Sequence, residues 1–269
     1  MVLYPGGSGP GFDETGLRPT PVFYIDDTTV EISERKHVIL ASIRFEDEGV
    51  AISATLRCKS ELGISFKEEL KWNAKGATRE QAYSIRNAML PVLARASGTV
   101  VIYEGTKAEA ANAIAKQLSD YSRALGAPGF VCRFDRGIIG ETRFAECAES
   151  LDPPCVGIAM IDSRSDPLLQ AADLFAGFQK LRIDTGTGRV DAERLIRADV
   201  YDDETADYPL GWYLSVGLRY CLWGSCEGDK DQPTKINAGL GVRVYSSAPQ
   251  EAISRALTYI NSEYMGCIH

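Results

Sequence analysis

The sequence predicts an α/β protein: a layered sheet with flanking helices and a less regular C-terminal appendage. Three observations lead there. The start of the chain holds consecutive strand-like apolar runs, and the middle alternates such runs with amphipathic segments that open on helix-capping signals. The 269 residues, 45% apolar and 25% charged, suffice for one sizeable core.

Residues 1–20 read as a flexible leader, because Pro5 to Gly11 is almost all glycine and proline. The leader has neither the basic start nor the apolar stretch of a signal peptide. Residues 21–182 read as the α/β domain. Its first strands are expected at Val22–Asp26, Val38–Phe45 and Val50–Leu56, with Glu46–Gly49 as a hairpin turn, so that the three form a meander. Arg57 to Lys75 is irregular and basic. Thr78 and Gln81 stand at capping-box spacing before Ala82, Ile85, Met89 and Leu93, one face of a helix that Pro91 should kink or end. A strand at Thr99–Tyr103 follows, then a second capping box, Thr106 and Glu109, ahead of Ala111, Ile114, Leu118 and Leu125. Phe130–Phe134 and Val156–Ile161 are strands on either side of a short helix, Glu141–Glu149. Asp166-Pro167 supplies an N-cap and first-turn proline for a helix to about Leu181. Residues 183–269 read as an appendage packed on the same domain, with an acidic stretch (Asp199–Asp207), an aromatic one (Trp212–Trp223), a strand (Gly241–Tyr245) and a helix from about Ser247.

Composition narrows the chemistry. The two histidines are His37 and His269, so Ser-His-Asp triads, Cys-His dyads and His-rich zinc sites lack material. Seven cysteines at irregular spacing favour reduced thiols in a cytoplasm. Cys221 and Cys226 have no second pair with which to complete a zinc site. No apolar run approaches the roughly 18 residues of a membrane helix. With 29 Lys+Arg against 37 Asp+Glu, the net charge is −8, and a nucleic-acid partner would need a local basic surface.

Carboxylates are therefore the candidates for chemistry. Asp26 and Asp27 follow a strand of apolar residues and precede Thr28-Thr29, as a turn or as strand-borne metal ligands. Glu69 lies among Lys67, Lys71, Lys75 and Arg79, spaced by four as on one helical face. That face is either solvated charge or an acid beside phosphate-holding cations. Asp135 ends the Phe130–Phe134 strand, with Glu104 as its rival at the end of Val100–Tyr103. Asp173 stands inside a helix between Leu169, Gln170, Ala176 and Gly177, where a buried acid needs a cation, an arginine or a backbone cap. Asp162-Ser163 is a further ligand or a second turn.

These segments resemble one family. Tyr24-Ile25-Asp26-Asp27-Thr28-Thr29 resembles the Asp-Glu-Ser-Gly signature of the DUF3800 family of RNase H-like proteins, and Glu69-Leu70-Lys71 its Glu-x-Lys/His element. Asp135 falls where that family has a strand-terminal Asp. The segment Pro167 to Gly177, with Leu169-Gln170-Ala171-Ala172-Asp173-Leu174-Phe175-Ala176-Gly177, resembles its Leu-Gln-x-Ala-Asp-Leu-x-Ala-Gly helix. The resemblance covers roughly Phe23 to Leu181. Asp27, Thr28 and Thr29 depart from the signature while Asp26 is kept.

The resemblance implies an RNase H-like sheet. The residues and the resemblance together suggest a metal-dependent phosphodiester hydrolase, a nuclease. Asp26, Glu69, Asp135 and Asp173, with Asp162 as a further ligand, would hold two Mg2+ or Mn2+ ions, a suitable pairing for oxygen-only ligands. Lys67, Lys71, Lys75, Arg79 and Gln170 would bind a DNA or RNA substrate. The alternatives are an inactive nucleic-acid- or protein-binding module of the same fold, and a phosphohydrolase acting on a small phosphorylated substrate.

Overall fold

The structure, a computed structural model, describes residues 19–71, 79–94, 96–201, 204–217, 222–223, 225–229, 232–237, 241–260 and 264–265. Its centre is a mixed sheet of strands β1 (Val22–Ile32), β2 (Arg35–Arg44), β3 (Ser97–Tyr103), β4 (Phe130–Asp135), β5 (Cys155–Ile161) and β10 (Val242–Tyr245), ordered β10-β3-β2-β1-β4-β5. Strand β2 pairs antiparallel with both β1 and β3, whereas β4 and β5 continue the sheet parallel to β1. This α/β architecture, a mixed sheet with flanking helices, is the fold class expected.

Helices α1 (Glu48–Glu61), α2 (Arg79–Ala94) and α5 (Pro167–Gly186) pack on one face, and α3 (Lys107–Ala124) and α4 (Glu141–Ala148) on the other. Alternation along β1 serves both layers: Phe23 and Ile25 pack with α3 and α4, while Tyr24 joins the α5 side. The capping box at Thr106 and Glu109 forms as expected. Asp166 accepts from the N–H groups of Leu168 and Leu169 to start α5, which runs past Leu181 to Gly186. Gly98 is required where β3 meets α5, because a Cβ there would lie 2.5 Å from the Phe175 ring.

Four expectations are corrected. The Val50–Leu56 run is helical, within α1. Asp47 caps it by accepting from the Val50 N–H, and Ala51, Ala54, Thr55 and Cys58 are buried at helical spacing while Val50 is exposed. Glu46–Gly49 is thus the entry to a helix, and the hairpin is the Ser33-Glu34 turn, where both residues have positive φ. Strand β1 does not end at Asp26; pairing with β2 carries it on to Ile32. Helix α2 does not end early at Pro91 but continues to Ala94, because Ile85, Met89 and Leu93 are anchored in the core.

Beyond α5 lie a ribbon of β6 (Leu195–Tyr201) and β7 (Glu204–Pro209), helix α6 (Leu210–Gly217), a small sheet of β8 (Ser225–Asp229), β9 (Gln232–Asn237) and β11 (Tyr264–Met265), and helix α7 (Gln250–Ala256). Strand β10 returns to the main sheet and pairs parallel to β3, from Val242–Val100 to Tyr245–Tyr103. Among the aromatic residues here, Trp212 stacks on Tyr208, Tyr213 is buried and Trp223 stacks on Tyr121, all as packing groups; Tyr220 lies outside the described residues. Cys58, Cys132 and Cys155 are free thiols. No helix among the described residues is long and apolar enough to cross a membrane.

Candidate active site

Parallel pairing of β1 with β4 stops at Ile25–Phe134, so Asp26 and Asp135 follow side by side where the two strands part. Both fall on the α5 face by alternation, since Ile25 and Phe134 occupy the opposite core. Asp173 reaches the same place from α5. In parallel sheets this position, outside the carboxyl ends of the strands, is where crevices open. Asp27 falls on the other face, where its carboxylate pairs with Lys107 at 2.8 Å.

Charge crowding shows in the acids themselves. Asp26 is 6% exposed. Burial first, then the Asp173 carboxylate, push its pKa up to about 8, against the pull of the Asp27 N–H; Asp135 and Asp27 add to the rise. Burial likewise raises Asp173, to about 6; the Lys71 ammonium opposes this, and Glu69, Asp135 and Asp27 add to it.

The loop before α2 brings in Glu69. Its Oε2 pairs with the Lys71 Nζ at 3.0 Å, and its Oε1 accepts from the Ser163 hydroxyl at 3.0 Å. The Ser163 N–H donates to Asp135 at 2.9 Å. Ser163, buried in the turn after β5, thus links the two acids. Asp26, Asp135, Asp173 and Glu69 therefore gather around one spot. Among the described residues, however, no group of three or more His, Cys, Asp or Glu stands in an arrangement that could hold a metal ion as it is.

The structure treats the other expected residues differently. Asp162 is engaged locally. It caps the Ser163–Ser165 turn and is engaged by Arg164, at 2.6 Å from Nη2, which holds its carboxyl down to about 2. Gln170 is buried and its amide is engaged internally. Its Oε1 accepts from Lys59 and the Leu70 N–H, and its Nε2 donates to the Ser163 and Arg164 carbonyls. It therefore clamps the two loops together and does not face a substrate. The four-residue repeat forms no helical face, because 64–71 is a loop: Lys67 is exposed and Lys71 turns to Glu69. Lys75 lies outside the described residues, and of Arg79 only the backbone, at the start of α2, is described. Glu104 is no catalytic rival; it binds Arg35 and the Ser247 N–H.

Sequence reasoning missed Lys59. It is 1% exposed on α1, and its ammonium donates to the carbonyls of Phe66 and Glu68 and to Gln170, at 3.2, 2.5 and 3.2 Å. Burial pulls its pKa down. A lysine in the segment read as irregular gave no sign of this role; the signal would have been the helical spacing that places Lys59 beside buried Thr55 and Cys58.

No protein-family model and no curated protein sequence matches the chain. Among solved structures it is similar to a chain of the PCNA:RNase HII complex from Archaeoglobus fulgidus, with a TM-score of 0.36 and 13% identity over 60% of this chain and 72% of that one. It is also similar to ribonuclease H2 from Pyrococcus horikoshii OT3, with a TM-score of 0.33 and 12% identity over 61% and 73%.

Proposed function

We propose that the chain is a divalent-metal-dependent phosphodiester hydrolase, a nuclease, built on this carboxylate group. The observation that supports it most is the convergence of acids from separate elements: burial and the Asp173 carboxylate raise Asp26, while burial, Glu69 and Asp135 raise Asp173, and a bound cation would stabilise such a group. The resemblance to the DUF3800 family at Asp26, Glu69, Asp135 and Asp173 points the same way. Asp26, Asp135 and Asp173 would hold Mg2+ or Mn2+, whose all-oxygen preference suits them, with Glu69 completing the set on release from Lys71. When bound, such ions supply Lewis-acid activation of water and charge stabilisation in an in-line displacement. Ser163 orients Asp135 and Glu69, and Lys71 balances their charge beforehand.

The test is thermal stability across a Mn2+ and Mg2+ titration. At a hundredfold excess over Kd, binding should add about 2.7 kcal/mol. Asp173→Asn should raise stability without metal, shrink the metal response, and lower cleavage of a labelled oligonucleotide by orders of magnitude. Unchanged melting in millimolar metal would remove this reading. It would leave the inactive binding module, which the Lys71–Glu69 ion pair favours because a tethered ammonium already answers the charge.

A further inference from the structure

The acids have cationic neighbours that the four-residue repeat did not reveal. Arg136 follows Asp135 directly, is exposed, and is fixed through its backbone N–H to the Ile161 carbonyl at 3.0 Å. Arg164 follows Ser163, the residue that binds both Asp135 and Glu69, and its side chain is 65% exposed. Lys67 and Lys71 stand on the facing loop, both exposed. On a chain of net charge −8, Arg136, Arg164 and Lys71 border one acidic spot.

Arg164 is also pre-oriented. Asp162 accepts from its Nε, at 2.9 and 3.2 Å, and from its Nη2, at 2.6 Å, and from the Arg164 backbone N–H at 3.0 Å. A guanidinium carries five donors, and these contacts engage the Nε donor and one on Nη2, so the two on Nη1 and the second on Nη2 are left for a ligand. An arginine held by a carboxylate on one edge offers the other at little entropic cost, and its planar fork suits a phosphate better than a lysine does.

We propose that Asp162 is a positioning residue for Arg164, and that Arg164 and Arg136 grip the phosphodiester backbone of a nucleic-acid strand beside the acids. This rests on the hydrolase reading for its substrate class and replaces Asp162 as a metal ligand. It also moves phosphate binding from the 67–79 repeat to the ends of β4 and β5.

The test measures binding of a fluorescent single-stranded oligonucleotide by the full chain in metal-free buffer over a range of salt, with Mn2+ melting shifts measured alongside. Arg164→Gln and Arg136→Gln should each flatten the slope of log K against log salt by about 0.7. Arg164→Lys should weaken binding although the charge is kept. Asp162→Asn separates the possibilities by sign. If Asp162 holds Arg164 in place, binding weakens and the Mn2+ shift is unchanged. If Asp162 is merely a nearby negative charge, its loss tightens binding and the proposal fails. A reduced Mn2+ shift in Asp162→Asn makes it a ligand and also overturns the proposal, as do unaltered salt slopes in both arginine variants. A chain that cleaves nothing but binds with this pattern loses the hydrolase reading and keeps the arginine grip; an active chain indifferent to these variants does the reverse.

Discussion

In the metal-free protein, Asp26 and Asp173 hold protons at pH values where an ordinary aspartate is ionised, and this links their chemistry to stability. Both folded-state values, about 8 and about 6, lie above that of an unfolded aspartate. The stabilisation is therefore fully present below about pH 4 and is lost as the pH rises through those values. Urea unfolding in a chelating buffer should show stability falling from about pH 4 to about pH 8. Asp26→Asn should flatten the upper half of that fall. Stability rising with pH over this window would mean that the acids are not crowded. Metal should reverse the trend, because binding competes with protons and strengthens as pH rises.

Helices α1 and α5 meet the 64–71 loop through Lys59 and Gln170, and this junction sets where Glu69 stands. Lys59→Met should leave the Phe66 and Glu68 carbonyls without this donor, at about 1–3 kcal/mol for each group left buried, and leave the Gln170 amide oxygen with the Leu70 N–H alone. The check is urea unfolding with limited proteolysis: stability should drop and cleavage concentrate in 64–71. A variant as stable and as resistant as the parent would make Lys59 incidental. The sequence showed α3 and α5 because their caps are local, Thr106 with Glu109 and Asp166 with Pro167. It hid α1, because alanines, serines and threonine alternate there as readily as they repeat at helical spacing, and only tertiary burial of Ala51, Ala54 and Cys58 decides between the two. The candidate acids were legible where they interrupt apolar runs, as at Asp26, Asp135 and Asp173. The partners of Asp162 and Gln170 were not, because a two-residue turn to Arg164 and contacts with residues a hundred positions away leave no periodic trace.

Taken as a whole, the molecule is closed by its C-terminal region. Glu104, at the end of β3, accepts from the Ser247 N–H and hydroxyl and from Arg35, and these partners hold its carboxyl down to about 2. Buried His37 adds a hydrogen bond to Ser246 at 2.7 Å. A depressed carboxylate contributes above its unfolded value and loses that contribution as the pH falls through its folded one. Acidification from about pH 4 to about pH 2 should therefore loosen this corner, while Asp26 and Asp173 are already protonated. Glu104→Gln should mimic that loss at neutral pH. Hydrogen exchange should quicken in β10 and along the β3 edge, with β1 and β4 still protected; uniform protection would show that β10 is held by its ladder alone.

The parallel pairing of β10 with β3 also dictates an order of events at the ribosome. By the time β1 to β5 have been synthesised, the outer edge of β3 has no partner, and it stays bare until some eighty further residues have emerged and 242–245 arrive. An unpaired apolar edge of Val100, Val101 and Ile102 is a template for pairing with other chains. The nascent protein is thus prone to misassociation after its candidate catalytic acids have been made and before β10 has docked, and a chain terminated in that interval would carry Asp26, Glu69, Asp135 and Asp173 on a sheet with one side left open.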